Sequence, residues 1–291
     1  MHGTHVNRTS HAGRYQATPN TRPYALGYSE AEFRRLEMQG GFIRDLTENM
    51  LRQAGLKPAM RVLDLGCGVG DVSLLAAELV GPSGFVMGID RSAEAIEVAK
   101  QRAAKANRHP WMQFKVADLD NFVPHETFDA VIGRLVLMYL PDPAVTLRRL
   151  ATHLRPGGVL AFQEMSMPAA RSIPEGPRFR QCKNWILDTF ERADFEIDMG
   201  GKLFATFLAA GLPAPQMIAA GRVEGGPQSQ AYEYIAQTLN SLLPAMQREG
   251  VATAEEIGID TVAHRLREEA VARNACIMLP PFVGAWTRMP G

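Results

Sequence analysis

The residue types best able to bind or transfer a chemical group lie in one glycine-rich segment, Val62–Asp71, which reads VLDLGCGVGD. An apolar run precedes its glycines and a helical pattern follows them, so the glycines form a turn between a buried strand and a helix. Glycine lets the backbone approach a ligand closely, and the N-terminus of the following helix is partly positive. The next apolar run ends at Asp90, 20 residues after Gly70, where a carboxylate can accept hydrogen bonds from a ribose diol. The segment therefore predicts a site for a nucleoside-containing cofactor, and a tight turn without a ligand is the structural alternative.

The spacing of the glycines bears on which nucleoside is bound. Gly66, Gly68 and Gly70 read G-x-G-x-G, and Asp71 stands where a dinucleotide fingerprint has its third glycine. Asp64 lies two residues before the first glycine. Carboxylates beside a pyrophosphate would repel it, whereas S-adenosylmethionine carries an ammonium and a sulfonium and no phosphate. The pattern favours S-adenosylmethionine over a nicotinamide dinucleotide.

Alternating strand and helix patterns around this segment predict an α/β fold. Such alternation is typical of βαβ units, which build a parallel sheet with helices on both faces. The predicted strands are Arg61–Leu65, Gly84–Asp90, Met112–Val116, Phe128–Gly133, Val159–Glu164 (after a turn at Pro156–Gly158), Gln216–Val223 and Phe282–Met289.

The N-terminal and late parts of the chain depart from this alternation. A capping box of Ser29 and Glu32 predicts a helix that breaks at Gly40-Gly41 and ends at Gly55. Residues 1–22 contain three arginines and no acid, and we expect a disordered tail there. The rest, 23–291, is expected to form one α/β domain. Its lid is predicted from three segments, residues 23–54, 166–198 and 226–281.

The motifs together resemble those of a known family. Val62–Asp71 is similar to motif I of the class I S-adenosylmethionine-dependent methyltransferases, and the resemblance is strong over residues 60–165. The lead-in Tyr24–Tyr28, through Arg35, Leu36 and Gln39, resembles that of small-molecule members related to the ubiquinone and menaquinone C-methyltransferases. The ending Val283–Arg288 is similar to the last strand of the family. The resemblance implies a seven-stranded, mostly parallel Rossmann-like sheet in which the last strand inserts antiparallel between the fifth and the sixth. Further matching motifs are Gly88–Ser92, Ala117–Leu119, Phe128–Val131 and Leu154–Gly158.

The same resemblance implies roles for individual residues, with S-adenosyl-L-methionine as the cofactor. The loop glycines would pass under the methionine and ribose. Asp90 would bind the ribose hydroxyls, with Arg91 beside the adenine. The adenine would bind to Asp118 and to the Leu119 amide. The methionyl end would be held by Gln39, Asp64 and Arg134. Each acid has an alternative as a helix cap or a solvated charge.

The methyl acceptor is less well defined by the sequence. Glu164 lies at the carboxyl end of the fifth strand, where active sites of parallel sheets are found, and is the candidate catalytic base or cation stabiliser; a loop-capping role is its alternative. His264 is either a lid residue or a helix-surface histidine. Apolar residues in the late segments suggest a lid over a hydrophobic small molecule: Met165, Met167, Trp185, Phe190, Tyr232, Tyr234, Leu242, Leu243 and Met246. A basic run, Arg171, Arg178, Arg180 and Lys183, is either a solvated face or a site for an anionic group on the acceptor.

Composition excludes several other classes. Lys plus Arg and Asp plus Glu are 31 each, so net charge gives no reason to expect a nucleic-acid partner. The chain has three cysteines, too few for a disulfide framework or a thiolate zinc site, and we expect no metal and a cytoplasmic location. No apolar run approaches the ~18 residues of a membrane span. We therefore expect a methyltransferase with a small-molecule acceptor and leave a homodimer open. The alternatives are a nicotinamide-dependent oxidoreductase and a non-catalytic nucleoside-binding module.

Overall fold

A central sheet of seven strands organises the chain, which is described here from a computed structural model for residues 27, 30–119, 121–124 and 126–291. The central sheet has the order β3-β2-β1-β4-β5-β10-β7, and β6, β9 and β8 form a second, antiparallel sheet. The strands are β1 (Arg61–Leu65), β2 (Phe85–Asp90), β3 (Met112–Val116), β4 (Phe128–Arg134), β5 (Leu154–Met165), β6 (Arg171–Ile173), β7 (Gln216–Ala220), β8 (Val223–Gly225), β9 (Cys276–Met278) and β10 (Phe282–Arg288).

Helices cover both faces of the central sheet because its strands alternate between two hydrophobic clusters. Val62 belongs to the cluster under α2, α3 and α4, whereas Leu63 and Leu65 belong to the cluster under α5, α6, α7, α8 and α10. The helices are α1 (Glu30–Phe42), α2 (Arg44–Ala54), α3 (Asp71–Val80), α4 (Ala93–Lys105), α5 (Pro143–Ala151), α6 (Pro177–Arg192), α7 (Met199–Ala209), α8 (Ala231–Arg248), α9 (Ala254–Ile257) and α10 (Val262–Ala272).

The predicted fold class is confirmed. β1 pairs in parallel with both β2 and β4, and β4 pairs in parallel with β5. β10 is antiparallel to both of its neighbours, β5 and β7, so the last strand inserts where the resemblance implied. Within the described residues, no helix combines the length and the apolar character needed to cross a membrane.

Two predicted sheet elements differ in the structure. The predicted strand Gln216–Val223 ends at Ala220, and Val223 begins β8 in the second sheet. The predicted turn at Pro156–Gly158 lies inside β5, where the register of the β4–β5 ladder shifts between Phe128 and Ala130. The second sheet is not evident in the sequence because its strands have three residues each, too few for an alternating pattern.

The prediction of a helix break at Gly40-Gly41 is wrong. α1 continues through both glycines, and the break falls at Ile43. A Cβ at Gly40 would lie 2.5 Å from the Cγ of Asp71, so this glycine permits close packing of α1 on α3. The predicted end at Gly55 is confirmed by its left-handed φ of 92°. The expected disordered tail, residues 1–22, and the capping residue Ser29 lie outside the described residues.

Candidate active site

A cavity of about 270 Å³ lies beyond the carboxyl ends of β1, β2, β3 and β4, the edge at which open α/β sheets bind ligands. Its lining has two parts of different character. The loops that follow these four strands supply most of the polar groups, and we call this part the cofactor half. Helix α6, helix α8 and the segment Leu279–Pro280 supply a mainly apolar part, the acceptor half.

The glycine loop brings two of its three glycines to the cavity. Gly66, Gly68 and Gly70 all have positive φ, of 58°, 50° and 87°. At Gly68, the nearest atom to an added Cβ would be a Leu36 methyl at 3.8 Å, so the space beside this residue is open toward the cavity. At Gly70, an added Cβ would lie 3.1 Å from Ala99 and 3.3 Å from the Phe114 ring. Gly70 therefore permits close packing of the α3 N-terminus and does not line the cavity.

Asp90 connects the glycine loop to the turn after β2. Its Oδ2 accepts a hydrogen bond from the Gly68 amide at 2.9 Å, and its Oδ1 accepts one from the Ser92 amide at 2.9 Å. A carboxylate oxygen can accept more than one hydrogen bond. Because Asp90 also lines the cavity, both oxygens remain able to accept from a ligand.

Asp64 is a buried carboxyl group with one unsatisfied oxygen. It is 1% exposed, and its Oδ2 accepts a hydrogen bond from the Ser73 hydroxyl at 2.5 Å. Its Oδ1 has no hydrogen-bond partner. Loss of hydration on burial raises the pKa of Asp64 to about 7, against the opposing effects of Ser73 and Arg134. A buried, unpaired acceptor costs free energy, so this oxygen suits a cationic donor delivered by a ligand.

Gln39 and Arg134 border the same part of the cavity. Arg134 donates from Nη1 to the Thr47 hydroxyl at 3.0 Å; burial lowers the pKa of its guanidinium, and Asp71 and Asp64 oppose that shift. Gln39 is buried and donates from Nε2 to the Tyr234 hydroxyl at 2.7 Å. This hydrogen bond joins α1 to α8 across the cavity.

The remaining predicted cofactor residues lie at the more exposed end. Arg91 follows β2, and Asp118 and Leu119 follow β3; all three line the cavity. The Asp118 carbonyl accepts hydrogen bonds from the amides of Asn121 and Phe122, which closes the turn after β3. The structure thus collects nine of the ten predicted cofactor residues around one cavity, with Gly70 outside its lining.

Glu164 lies off the cavity lining. Its side chain is fully buried, and its Oε1 accepts hydrogen bonds from the amides of Val136 at 3.0 Å and Leu137 at 2.8 Å. Burial raises the pKa of Glu164 to about 7, and the amide hydrogen bonds oppose this shift. These contacts match the loop-capping alternative, and the catalytic role stays a prediction. His264 is exposed on α10, with Nε2 at 3.1 Å from a Glu268 oxygen, away from the cavity.

The acceptor half contains residues that sequence analysis missed. Four of the expected apolar residues line it, namely Met165, Met167, Phe190 and Tyr234, whereas Trp185, Tyr232, Leu242, Leu243 and Met246 do not. The missed residues include Phe179, Ile186 and Leu187 on α6. Their spacing with Phe190 marks one face of α6. Among the described residues, no cluster of three or more His, Cys, Asp or Glu side chains could hold a metal ion.

Comparison with known proteins agrees with this geometry. Residues 56–196 match a family described as a methyltransferase domain. A trans-aconitate 2-methyltransferase from Azoarcus sp. (strain BH72) is 38% identical over 132 residues, which cover 44% of this chain and 49% of that protein. A 2-phytyl-1,4-naphtoquinone methyltransferase from Synechococcus elongatus is 36% identical over 141 residues, covering 47% and 57%. The YcgJ protein of Bacillus subtilis superposes with a TM-score of 0.54 over 84% of this chain and 98% of that one, at 18% identity, which is a likeness of fold alone.

These matches, the glycine loop and the sheet order assign residues 56–196 to the class I, Rossmann-like methyltransferases, as the motifs predicted. The cofactor that this class implies is S-adenosyl-L-methionine. The chain spans about half the length of the relatives that it matches. The family match, residues 56–196, includes the loops after β1 to β4 and helix α6, but neither α1 nor α8.

Proposed function

We propose that this chain transfers the methyl group of S-adenosyl-L-methionine to a small, largely apolar molecule. The observation that carries the proposal is the buried Oδ1 of Asp64, which has no hydrogen-bond partner and belongs to a cavity that Gly68 also lines. That oxygen needs a cationic donor, and the methionyl ammonium of the cofactor is one. A pyrophosphate in the same place would face the carboxylates of Asp64 and Asp71.

The other cofactor contacts follow from the positions of the lining residues. The Arg134 guanidinium would bind the methionyl carboxylate, together with Gln39 of α1, which lines the same cavity. Asp90 would accept from the ribose hydroxyls while it keeps the glycine loop in position through the Gly68 amide. Asp118 and Leu119 would contact the adenine, with Arg91 beside it. When bound, the cofactor supplies an electrophilic methyl group on its sulfonium.

The chain's own contribution to the reaction is to orient the acceptor and to exclude water. Residues of α6 and α8 would pack on the apolar body of the acceptor, and α1 would close the site through the Gln39–Tyr234 hydrogen bond. The predicted lid segments, 23–54, 166–198 and 226–281, include these helices. In the transfer, an electron pair of the acceptor would form the bond to the methyl carbon, and S-adenosylhomocysteine would leave with the electron pair of the broken carbon–sulfur bond.

Two experiments test the proposal. S-adenosylhomocysteine should raise the melting temperature, whereas NAD should not, because only a ligand that binds the native state stabilises it. Protein incubated with methyl-labelled cofactor and extracts of small apolar metabolites should release label into an organic-soluble product. Stabilisation by NAD would favour the oxidoreductase alternative. Binding of S-adenosylhomocysteine without any transfer of label to a metabolite panel would favour the non-catalytic binding module.

A further inference from the structure

Helix α6 presents one cation to the acceptor half. Phe179, Ile186, Leu187 and Phe190 place apolar side chains along one face of the helix, and Lys183 lies on the same face one turn after Phe179. Lys183 is half-buried. A charged side chain on an apolar cavity wall is unusual because charge is costly to remove from water, so it calls for an explanation.

The Lys183 ammonium is held in place by the backbone. Its Nζ donates to the Pro168 carbonyl at 3.0 Å and to the Ala170 carbonyl at 2.9 Å. An ammonium carries three N–H donors, so one remains. Among the described residues, no carboxylate forms an ion pair with Lys183. Two carbonyl groups therefore fix the direction of a donor whose charge the protein leaves uncompensated.

The carboxylates of the cavity lie on the opposite side. Among the described residues, the acids that line the cavity are Asp64 and Asp90 near the carboxyl ends of β1 and β2, Asp71 at the start of α3, and Asp118 after β3. The parts of α6, α8 and Leu279–Pro280 that line the acceptor half contribute none. An anionic group placed beside Lys183 would therefore meet an unopposed positive charge in a mainly apolar setting, where a charge-assisted hydrogen bond is strong.

We propose that the methyl acceptor carries an anionic oxygen group, a carboxylate or a phosphate, that accepts a hydrogen bond from Lys183 Nζ. The inference rests on the proposed function, because it names the class of molecule that the acceptor half takes. The apolar body of the acceptor packs on Phe179, Ile186 and Phe190. The fixed ammonium then sets how far the molecule enters, and so which of its atoms faces the cofactor. Lys183 is thus a specificity-determining residue.

The experiment measures ligand preference in protein saturated with S-adenosylhomocysteine. Calorimetry would compare octanoate and octyl phosphate with the neutral octanamide, which has a similar apolar tail. Wild-type protein is expected to bind one of the anions at least about tenfold more tightly than the amide, as one charge-assisted hydrogen bond would provide. Whichever anion binds more tightly distinguishes a carboxylate-bearing from a phosphate-bearing acceptor. In K183Q the preference should disappear, and in K183R part of it should remain.

The matched control is R180Q. Arg180 is exposed on the same helix, three residues away, and its substitution removes the same charge. R180Q should keep the wild-type preference, whereas a general effect of net charge would weaken it equally. K183M serves as a second neutral variant if K183Q does not fold, as judged by circular dichroism.

Three outcomes would overturn the inference while S-adenosylhomocysteine still binds. These are no preference for either anion in wild-type protein, no binding of any probe, and a preference that survives in K183Q or K183M. In those cases the only role of Lys183 is to hold the segment Met167–Ala170 in position through its two hydrogen bonds. If wild-type protein fails to bind S-adenosylhomocysteine, the proposed function itself fails, and the two failures are therefore distinguishable.

Discussion

Replacing Asp64 by asparagine is expected to have two effects. The stability of the ligand-free variant relative to wild type should be higher at pH 8 than at pH 5, and cofactor binding should be weaker. The folded-state pKa of Asp64 is about 7, against an ordinary value of 3.8. As the pH rises through this interval, the unfolded chain loses the proton first. The stability that the protonated Asp64 contributes is therefore fully present below the pKa of the unfolded chain and is lost progressively as the pH rises to the pKa of the folded protein.

The magnitude follows from the two pKa values. Their full difference corresponds to about 4 kcal/mol, of which about 2 to 3 kcal/mol falls between pH 5 and pH 8. No discount for solvent screening applies because the side chain is 1% exposed. Asparagine can still accept from Ser73 but leaves a buried N–H group unsatisfied, which costs about 1–3 kcal/mol at every pH. The stability of D64N relative to wild type should thus rise by about 2 to 3 kcal/mol from pH 5 to pH 8.

The affinity of the wild-type protein for the cofactor should rise with pH, whereas its stability falls. If the ionised Asp64 accepts from the methionyl ammonium, binding requires its proton to leave, and wild-type affinity for S-adenosylhomocysteine should rise by up to about tenfold per pH unit below pH 7. In D64N this dependence should vanish, and at pH 7.5 affinity should be about 10- to 100-fold below wild type.

Urea unfolding followed by circular dichroism gives the stabilities, and calorimetry gives the affinities. Asp188→Asn, which removes an exposed carboxylate on α6, controls for net charge. Because Glu164 is unchanged in both proteins, its own contribution cancels from the comparison. A constant stability offset between D64N and wild type over this pH range would refute the burial argument. Equal wild-type affinities at pH 6 and pH 7.5 would refute the ammonium contact.

Three further outcomes are expected. E164Q should retain turnover because its amide oxygen can still accept hydrogen bonds from the loop after β4. E164A should destabilise that loop and lower turnover. Loss of turnover in well-folded E164Q would instead establish a catalytic carboxyl group. G70A should lower the unfolding free energy by about 1–3 kcal/mol with a smaller effect on S-adenosylhomocysteine affinity, because the added methyl adds crowding against Ala99 and Phe114 to the strain of a positive φ. G68A adds only the strain, so it should cost less stability than G70A and more affinity, as urea titration and calorimetry would report. Amide hydrogen exchange should slow on cofactor binding more in α1 and α8 than in β1–β5. Exchange rates in these two helices that do not change with cofactor would mean that the helices do not move on binding.

The cofactor half could be predicted from the sequence because each of its groups lies within one local motif. Asp64 and Asp90 end adjacent buried strands, and the glycines stand at the strand–helix turn. Gly70 shows the limit of this reasoning. It fits the motif as well as Gly68 does, but only the packing of α4 and β3 against it reveals that its missing side chain makes room for Ala99 and Phe114.

The acceptor half could not be predicted in the same way. Its walls come from α6, α8 and Leu279–Pro280, which are far apart in the chain. An apolar residue on such an element can face the core or the cavity, and its type does not say which. Trp185 and Phe179 lie on one helix, yet only Phe179 lines the cavity. The relative placement of helices, set by tertiary packing, decides between them.

The position of Glu164, by contrast, follows from a pattern already in the sequence. Side chains alternate along a strand, and in β5 Ala161 faces the α2–α4 cluster whereas Phe162 faces the opposite one. Glu164 shares the face of Phe162. Gln163 shares the face of Ala161, and its Oε1 accepts from the Thr47 hydroxyl, which in turn accepts from Arg134.

The same alternation in β1 and β4 puts Asp64 and Arg134 on that second face, with Val62 and Ile132. The polar groups at the methionyl end of the proposed site therefore share one side of the sheet, and Glu164 lies on the other, where two backbone amides already use its Oε1. Glu164 thus shares its face of the sheet with the cluster under α6 and α8, but its Oε1 is already used by the Val136 and Leu137 amides, and the residue is absent from the cavity lining. An amide oxygen can accept both of those hydrogen bonds, which is the physical reason to expect folding and turnover from E164Q.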